Sequence, residues 1–371
     1  MKIIHCADLH LDSKQEANLT KEQAKLRKGE ILNTFVRMAD YASETGVSAI
    51  LICGDMFDKS NISATVRNTV KNVFLTHPDI HFYYLKGNHD NDNFLDNEEN
   101  LPSNLYMFRS EWTTYSEADG AVSITGAELG GNGSGRLYNS LLLDGENFNI
   151  VMLHGQESEN VSSKKDKTEL VNIKALKNKS IDYLALGHIH TFKEERLDAR
   201  GIYCYSGCLE GRGFDECGEK GFVLLDIDTV NGTLTHDFIP FAQRRLYTAE
   251  ADISSCDTSD DVIDEVNRSL RRMNCMDTDM LKIVLVGDTD ISRERDDAYI
   301  LAVFSERFFF AKLEDGTSPK VNYEDYKLDR SLKGEFVRCV LEDPEIPDED
   351  KPYVIKYGID AILSKNGGHK K

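Results

Sequence analysis

The sequence is short of positive charge. Lys and Arg number 44 against 64 Asp and Glu, giving a formal net charge of −20 and a pI near 4.9. Phosphate neutralisation needs Lys and Arg, so the overall balance excludes a nucleic-acid binder that works through bulk charge. The acidic excess is spread over both halves of the chain, and neither is a basic module. A polyanionic substrate would need local positive charge, and bound metal ions are one source of it. Long apolar runs are also missing, and no stretch is long enough to span a bilayer. The opening MKIIHCADLH has no signal-peptide layout. The eight cysteines include no C-x-x-C pair. Cys204, Cys208 and Cys217 lie close together, but their spacings miss those of the usual zinc sites. Cys6 and Cys53 fall inside apparent strands, which suits buried, reduced thiols in a cytoplasmic chain rather than a disulfide framework. No internal repeat is visible.

What is present is an α/β alternation in 371 residues, 40% of them hydrophobic, enough for one large core and a smaller second one. Five apolar runs end in chemistry-bearing residues. Residues 2–7 alternate as a strand and end at Asp8-Leu9-His10. An extended chain turns Asp8 and His10 to the same side, as a metal-holding pair or as a turn-capping Asp beside a partly exposed His. Residues 49–53 stop at Gly54 and deliver Asp55 to the carboxyl end of a core strand, where α/β sheets place their sites. Residues 80–86 lead to Gly87-Asn88-His89-Asp90. Asn88 offers a neutral carbonyl ligand and His89 a group that transfers protons near neutral pH. The same string also reads as an Asn-rich turn running on through Asn91, Asp92 and Asn93. Residues 148–153 end at His154-Gly155, and 181–186 end at Gly187-His188-Ile189-His190.

Around these runs, helical spacing predicts helices over 31–41 and 64–75, with a short one at 171–177. Residues 140–143 read as a short strand. The stretch 130–135 reads as a flexible loop, and 156–168 as a polar loop over the site. Lys21, Lys25 and Lys28 share a helical face, either solvated or turned to a phosphate. The glycine-rich turn over 207–213 either brings Arg212 and backbone N–H groups near a phosphate or simply packs. Residues 220–227 and 233–239 form a hairpin across Asn231-Gly232. From about residue 250 the texture changes to a second, smaller α/β domain. Its first helix, 260–273, is expected to carry Arg268, Arg271 and Arg272 along one side. The tail GGHKK reads as disordered.

Chance does not place Asp, Asn and His behind apolar strands and beside glycine five times over. The ordered set D-x-H, G-D-x-x-D, G-N-H-D, H-G and G-H-x-H resembles the calcineurin-like metallophosphoesterase superfamily, over roughly the first two-thirds of the chain. The resemblance implies an α/β metallophosphoesterase four-layer sandwich, two mixed β-sheets flanked by helices. The nuclease domain would span 1–250, and a smaller α/β capping domain that positions DNA would span 251–371. It implies two divalent ions, Mn2+ first, with Fe and Zn as alternatives. One ion would take Asp8, His10, Asp55 and His190, and the other Asp55, Asn88, His154 and His188, with Asp55 bridging. His89 is then the catalytic residue outside the ligand set, stabilising developing charge or protonating the leaving oxygen. Asp90 either orients His89 or stabilises the turn.

The opening MKIIHCADLHLDS, the strings GDMFD and GNHD, and the later YSGCLEGRGFDECGEKGF resemble the SbcD-type DNA repair exonucleases. That family implies phosphodiester hydrolysis in DNA by two-metal activated water. Arg212, Arg268, Arg271 and Arg272 are the candidate phosphate contacts. The expected partners are DNA and an SMC-like ATPase subunit, with a homodimer allowed and no membrane. Two features depart from the family: the cap is acidic, and no separate helical module for docking on a partner's coiled coil is visible. The competing readings are a small-molecule phosphodiesterase or phosphatase on the same centre, and a catalytically silent interaction module.

Overall fold

The computed structural model describes residues 1–14, 19–58, 62–90, 95, 101–129, 134–158, 170–290 and 295–363. The loops expected at 130–135 and 156–168 lie largely outside these residues, and the GGHKK tail and Asn91, Asp92 and Asn93 wholly so. The chain divides into two compact units, Met1–Arg245 and Leu246–Lys371.

In chain order the strands of the first unit are β1 (Lys2–Cys6), β2 (Val47–Cys53), β3 (His81–Leu85), β4 (Leu105–Met107), β5 (Thr113–Glu117), β6 (Val122–Gly126), β7 (Phe148–His154), β8 (Gln156–Ser158), β9 (Leu170–Asn172), β10 (Tyr183–Gly187), β11 (Lys193–Arg196), β12 (Ile202–Tyr205), β13 (Gly221–Asp228) and β14 (Thr233–Pro240). Its helices are α1 (Lys21–Glu44), α2 (Ala64–Thr76), α3 (Ser134–Ser140) and α4 (Ile173–Leu176). Two six-stranded sheets form, in the orders β14-β13-β1-β2-β3-β4 and β11-β12-β10-β7-β6-β5. β1 to β4 run parallel, as do β12, β10, β7 and β6, and antiparallel strands close three of the four edges, the parallel β4 being the fourth.

The apolar character of β2, VSAILIC, follows from burial on both faces. Alternation sends Ile50 and Ile52 outward against Phe35 and Met38 of α1 and Val70 and Phe74 of α2. Ala49, Leu51 and Cys53 face inward onto Ile150, Met152 and Ala185 of the second sheet. On that sheet's outer face, Val151, Leu153, Leu184 and Leu186 pack on Tyr138, Leu141 and Leu176. The result is two mixed sheets flanked by helices. His5 ties β1 to β10 inside the sandwich: Nδ1 bonds the Tyr183 hydroxyl at 2.8 Å and Nε2 lies 3.2 Å from the Leu186 carbonyl. Burial pushes the His5 imidazole down to about 3, against the raising effect of the Leu186 carbonyl, so it stays neutral.

Three local expectations change. α1 begins at Lys21 rather than at 31, because Thr20 and Gln23 form a capping box. Residues 134–140 are helical, and no strand forms over 140–143: Tyr138 and Leu141 pack on the second sheet instead of extending it. The helix expected at 171–177 is split into β9 and α4, with the Asn172 side chain capping the helix through Ala175 N.

The early start of α1 buries a guanidinium. Arg27 is 0% exposed; Nη1 donates to Glu30 Oε2 at 2.8 Å, and Nη2 donates to Glu210 Oε2 at 2.8 Å and to the Gly211 carbonyl at 2.9 Å. Thr34 and the Gln243 N–H also bond Glu210, while Arg244 bonds Glu30. The network fixes the turn that carries Arg212. Replacing Arg27 with Met would leave Glu30 and Glu210 without this partner, and removing one member of a buried pair costs about 3–5 kcal/mol. A urea unfolding midpoint equal to the parent's would contradict that role.

In the second unit, β15 (Leu246–Asp252), β16 (Met280–Val286) and β18 (Phe310–Asp315) form a parallel sheet. α5 (Ser259–Leu270) and α6 (Asp297–Arg307) contribute Val262, Val266, Ile300 and Phe304 to its core. β17 (Asp288–Asp290) pairs with β19 (Ser318–Lys320), and α7 (Leu332–Glu342) and α8 (Lys351–Leu363) pack through Val337, Val340, Ile355 and Ile359. The helix expected over 260–273 ends at Leu270. Arg272 N bonds Ser269 O and Met273 N bonds Leu270 O, tight i to i−3 bonds that unwind the end. Arg271 is the cap and Arg272 lies beyond it, so of the three arginines only Arg268 falls within the helix. Among the described residues, no helix is long and apolar enough to cross a membrane.

Candidate metal centre

The parallel strands at the middle of each sheet end together. β1, β2 and β3 deliver Asp8, His10, Asp55 and Asn88; β7 and β10 deliver His154, His188 and His190. The chain leaves these strands abruptly. Asp8, His10, Asp55 and His188 have φ of 53°, 43°, 52° and 105°, a left-handed region rare for residues with a Cβ and one that clusters at functional sites. Two glycines let the sheet ends approach. A Cβ on Gly54 (φ 86°) would lie 2.2 Å from His154 Nδ1, and one on Gly187 would lie 1.9 Å from the Cys53 carbonyl.

All seven expected ligand residues converge. His10 Nε2 lies 3.2 Å from His190 Nε2 and 3.9 Å from Asp55 Oδ2. His154 Nε2 lies 3.4 Å from Asp55 Oδ2 and 3.0 Å from Asn88 Oδ1, and His188 Nδ1 lies 3.3 Å from Asn88 Oδ1. Asp8 groups with His10 and His190, and again with Asp55 and His154, each set with ligand atoms within 4.8 Å of one another. Asp8 also accepts the His188 N–H at 3.0 Å, and Asp55 accepts the His89 N–H at 2.9 Å. Asp8, His10, Asp55 and His154 form a buried floor, whereas Asn88 and His89 are more open to solvent.

The outer ring nitrogens fix the tautomers. His154 Nδ1 donates to the Cys53 carbonyl at 2.9 Å, His190 Nδ1 to Glu216 Oε1 at 2.6 Å and His10 Nδ1 to Asp58 Oδ1 at 3.2 Å. Each bond leaves an Nε2 lone pair turned inward. Two such nitrogens face each other at His10 and His190, beside two carboxylates and an amide oxygen, which is a cluster of ligand-type atoms. A cation satisfies them all, and mixed imidazole, amide and carboxylate donors suit Mn, Fe or Zn better than Ca. The residues present therefore fit divalent metal.

The electrostatics point the same way. Burial would raise the Asp55 carboxyl, but the hydrogen bond to His154 and its charge more than offset this and hold it below the usual range. Burial likewise opposes a charged His154, yet Asp55 and Asp8 push it up to about 9. Burial opposes a charged His190, and Glu216 raises it. The pocket holds the Asp55 carboxylate ionised and attracts positive charge.

Of the two roles open to Asp90, its hydrogen bonds support the stabilisation of the turn. Its carboxylate accepts Phe57 N at 2.7 Å, Gly87 N at 2.9 Å and Met56 N at 3.2 Å. It braces the turns after β2 and β3 rather than orienting His89. Burial raises it to about 6, opposed by the Gly87 and Phe57 N–H bonds. The group that holds the His89 ring is Asp58, with Oδ1 2.9 Å from Nδ1. Arg212 reaches the same place: Nη2 bonds Glu216 Oε1 at 2.9 Å, and Nη1 lies 3.9 Å from Asp58 Oδ2. Arg268, Arg271 and Arg272 belong to the second unit, where Arg268 pairs with Glu265. Asp58 carries no assigned role within G-D-x-x-D, and Glu216 is not among the expected site residues. The second Asp of GDMFD was the available signal for the first; for Glu216 there was none short of the fold.

A sequence model of the calcineurin-like phosphoesterases matches residues 1–192. YhaO, an uncharacterized metallophosphoesterase of Bacillus subtilis strain 168, is 32% identical over 252 residues, covering 64% of this chain. The chain spans 60% of that relative's length. Among solved structures, TT1561 of Thermus thermophilus aligns with TM-score 0.38 at 14% identity, covering 64% of this chain and 98% of that one. A dimetal phosphatase from Danio rerio aligns with TM-score 0.36 at 11% identity, covering 61% and 92%. With the family's pattern matched over more than half its length and the strand-end donors gathered in one pocket, the chain belongs to the calcineurin-like phosphoesterase family, hydrolases that work with divalent metals at a binuclear site.

Proposed function

We propose that this phosphoesterase is a DNA exonuclease of repair, acting in the cytoplasm on DNA phosphodiesters with two divalent ions, Mn2+ first. The observation that carries the chemistry is the inward set of His10, His154 and His190 Nε2 lone pairs beside Asp8 and Asp55. Asp8, His10, Asp55 and His190 would hold one ion; Asp55, Asn88, His154 and His188 would hold the other. Bound divalent ions supply the charge that polarises a phosphoryl group and the Lewis acidity that activates water. The chain's own groups do the rest. The buried floor excludes bulk water and strengthens each charge interaction. His89, held through Nδ1 by Asp58, would stabilise the developing charge or pass a proton to the leaving oxygen.

The DNA reading is supported by the SbcD-like strings and by a second α/β unit after Arg245. An SMC-like ATPase subunit and a second copy of the chain are the protein partners of that reading. One observation favours a second reading, hydrolysis of a small phosphodiester: Arg268 is paired with Glu265 in an acidic chain.

The deciding assay compares Mn2+-dependent cleavage of single- and double-stranded DNA with that of bis-p-nitrophenyl phosphate over a range of salt. DNA cleavage is expected to weaken steeply as salt rises. Removing one cationic side chain that meets a phosphate should lower the log–log binding slope by roughly 0.7–0.9. Alanine at Arg268, Arg271 and Arg272 should flatten that slope and leave the small diester nearly unaffected. Cleavage of the small diester but of no DNA, with or without an ATPase partner, would transfer the assignment to the second reading.

A further inference from the structure

We propose that Glu216 is a positioning residue shared by the metal centre and the substrate site, fixing His190 and Arg212 together and leaving Arg212 Nη1 to take a phosphoryl oxygen. This rests on the binuclear phosphodiesterase reading above and adds to it a phosphate-recognition group and the residue that sets it.

Glu216 is buried, 6% exposed, and its two oxygens are already in use. Oε1 accepts His190 Nδ1–H at 2.6 Å, Arg212 Nη2–H at 2.9 Å and Arg212 Nε–H at 3.3 Å. Oε2 accepts the Arg212 backbone N–H at 2.7 Å and faces the Cys208 thiol at 4.0 Å. A carboxylate has about four lone-pair sites, so this one is saturated as an acceptor and acts as a clamp rather than as a ligand. The backbone of His190 is held as well, by Lys220 Nζ at 2.7 Å and the Cys208 N–H at 3.3 Å on its carbonyl. His190 therefore has one tautomer and one ring orientation, with Nε2 directed at His10.

The same clamp uses only one edge of the Arg212 fork. Nε and Nη2 are spent on Glu216, while Nη1 has Asp58 at 3.9 Å, beyond hydrogen-bond length. Asp58 in turn holds His10 and His89 at 3.2 and 2.9 Å. Nη1 thus approaches the carboxylate that also holds the His89 ring, on a side chain that Glu216 keeps from swinging out. Behind it, Arg27 grips Glu210 and the Gly211 carbonyl, which holds the turn itself. A charged, planar donor fixed along one edge suits a phosphoryl oxygen.

The test uses the full chain, stripped of metal, with Mn2+ and inorganic phosphate as probes. The parent should bind two Mn2+ by titration calorimetry. Glu216→Gln should weaken one of the two by roughly 10–100-fold, as expected for loss of the group behind a ligating histidine. In 15N spectra, its His190 should no longer be held in the single tautomer protonated at Nδ1. Arg212→Ala should keep both Mn2+ affinities within about twofold, yet weaken phosphate and raise KM for bis-p-nitrophenyl phosphate by about tenfold or more, the range of a hydrogen bond to a charged group. The double variant should lose less phosphate affinity than the two single losses combined. Parent-like Mn2+ binding in Glu216→Gln, or parent-like phosphate binding in Arg212→Ala, overturns the proposal while leaving the binuclear reading standing. A parent that binds no Mn2+ overturns both.

Discussion

Asp55→Asn is expected to abolish loading of two ions and activity together. Asp55 Oδ2 lies 3.4 Å from His154 Nε2 and 3.9 Å from His10 Nε2, so one carboxylate borders both proposed ligand sets. Asn keeps the size and tolerates the φ of 52° at this position, so the turn survives while the negative charge is lost. The floor then has one carboxylate, Asp8, against the charge of two dications. Turnover should fall by at least about 10³, since activation of water depends on its pKa moving from near 15.7 toward 7. Elemental analysis of the purified variant and initial rates on a phosphodiester check both halves. Two tightly held ions in the variant would remove Asp55 from the bridging position.

His89→Ala should separate what Asp55→Asn joins. The His89 ring is exposed and bound to Asp58, whereas the converging Nε2 groups belong to His10, His154 and His190. Its loss should leave two ions in place and lower turnover by about 10²–10⁴, the range of a general acid or base. The backbone N–H of residue 89 still reaches Asp55 Oδ1, so the floor is preserved. A variant that lost an ion would make His89 a ligand, and one with unchanged turnover would have no catalytic use for it.

The strand ends were readable because the code is local. An apolar run, a glycine and then Asp, Asn or His are neighbours in sequence, and parallel strands gather their ends without further information. Asp58 was less visible, since its partners His10 and His89 are brought to it by other strands. Glu216 was invisible for the same reason: an acidic residue in GFDEC reads as solvated until the fold places His190 beside it. Arg27 sits in a charged run and reads as surface, yet it is buried because Glu30, Glu210 and Gly211 meet it there. Asp90 had two readings, and backbone N–H groups from two turns select the structural one. The end of α5 at Leu270 depends on short i to i−3 bonds that no side-chain pattern records.

The centre takes its donors from both sheets, with Asp8, His10, Asp55 and Asn88 on one and His154, His188 and His190 on the other. Loading on the proposed ligands is therefore also a cross-link. Unfolded or half-docked chains cannot present this set, so ions select the fully docked sandwich. Occupancy adds RT ln(1 + [L]/Kd) to stability, about 2.7 kcal/mol for each site at a hundred times its Kd. That is a sizeable share of the roughly 5–15 kcal/mol by which folded proteins typically exceed their unfolded chains. The supply of divalent metal would then govern how long this chain persists folded as well as how fast it works.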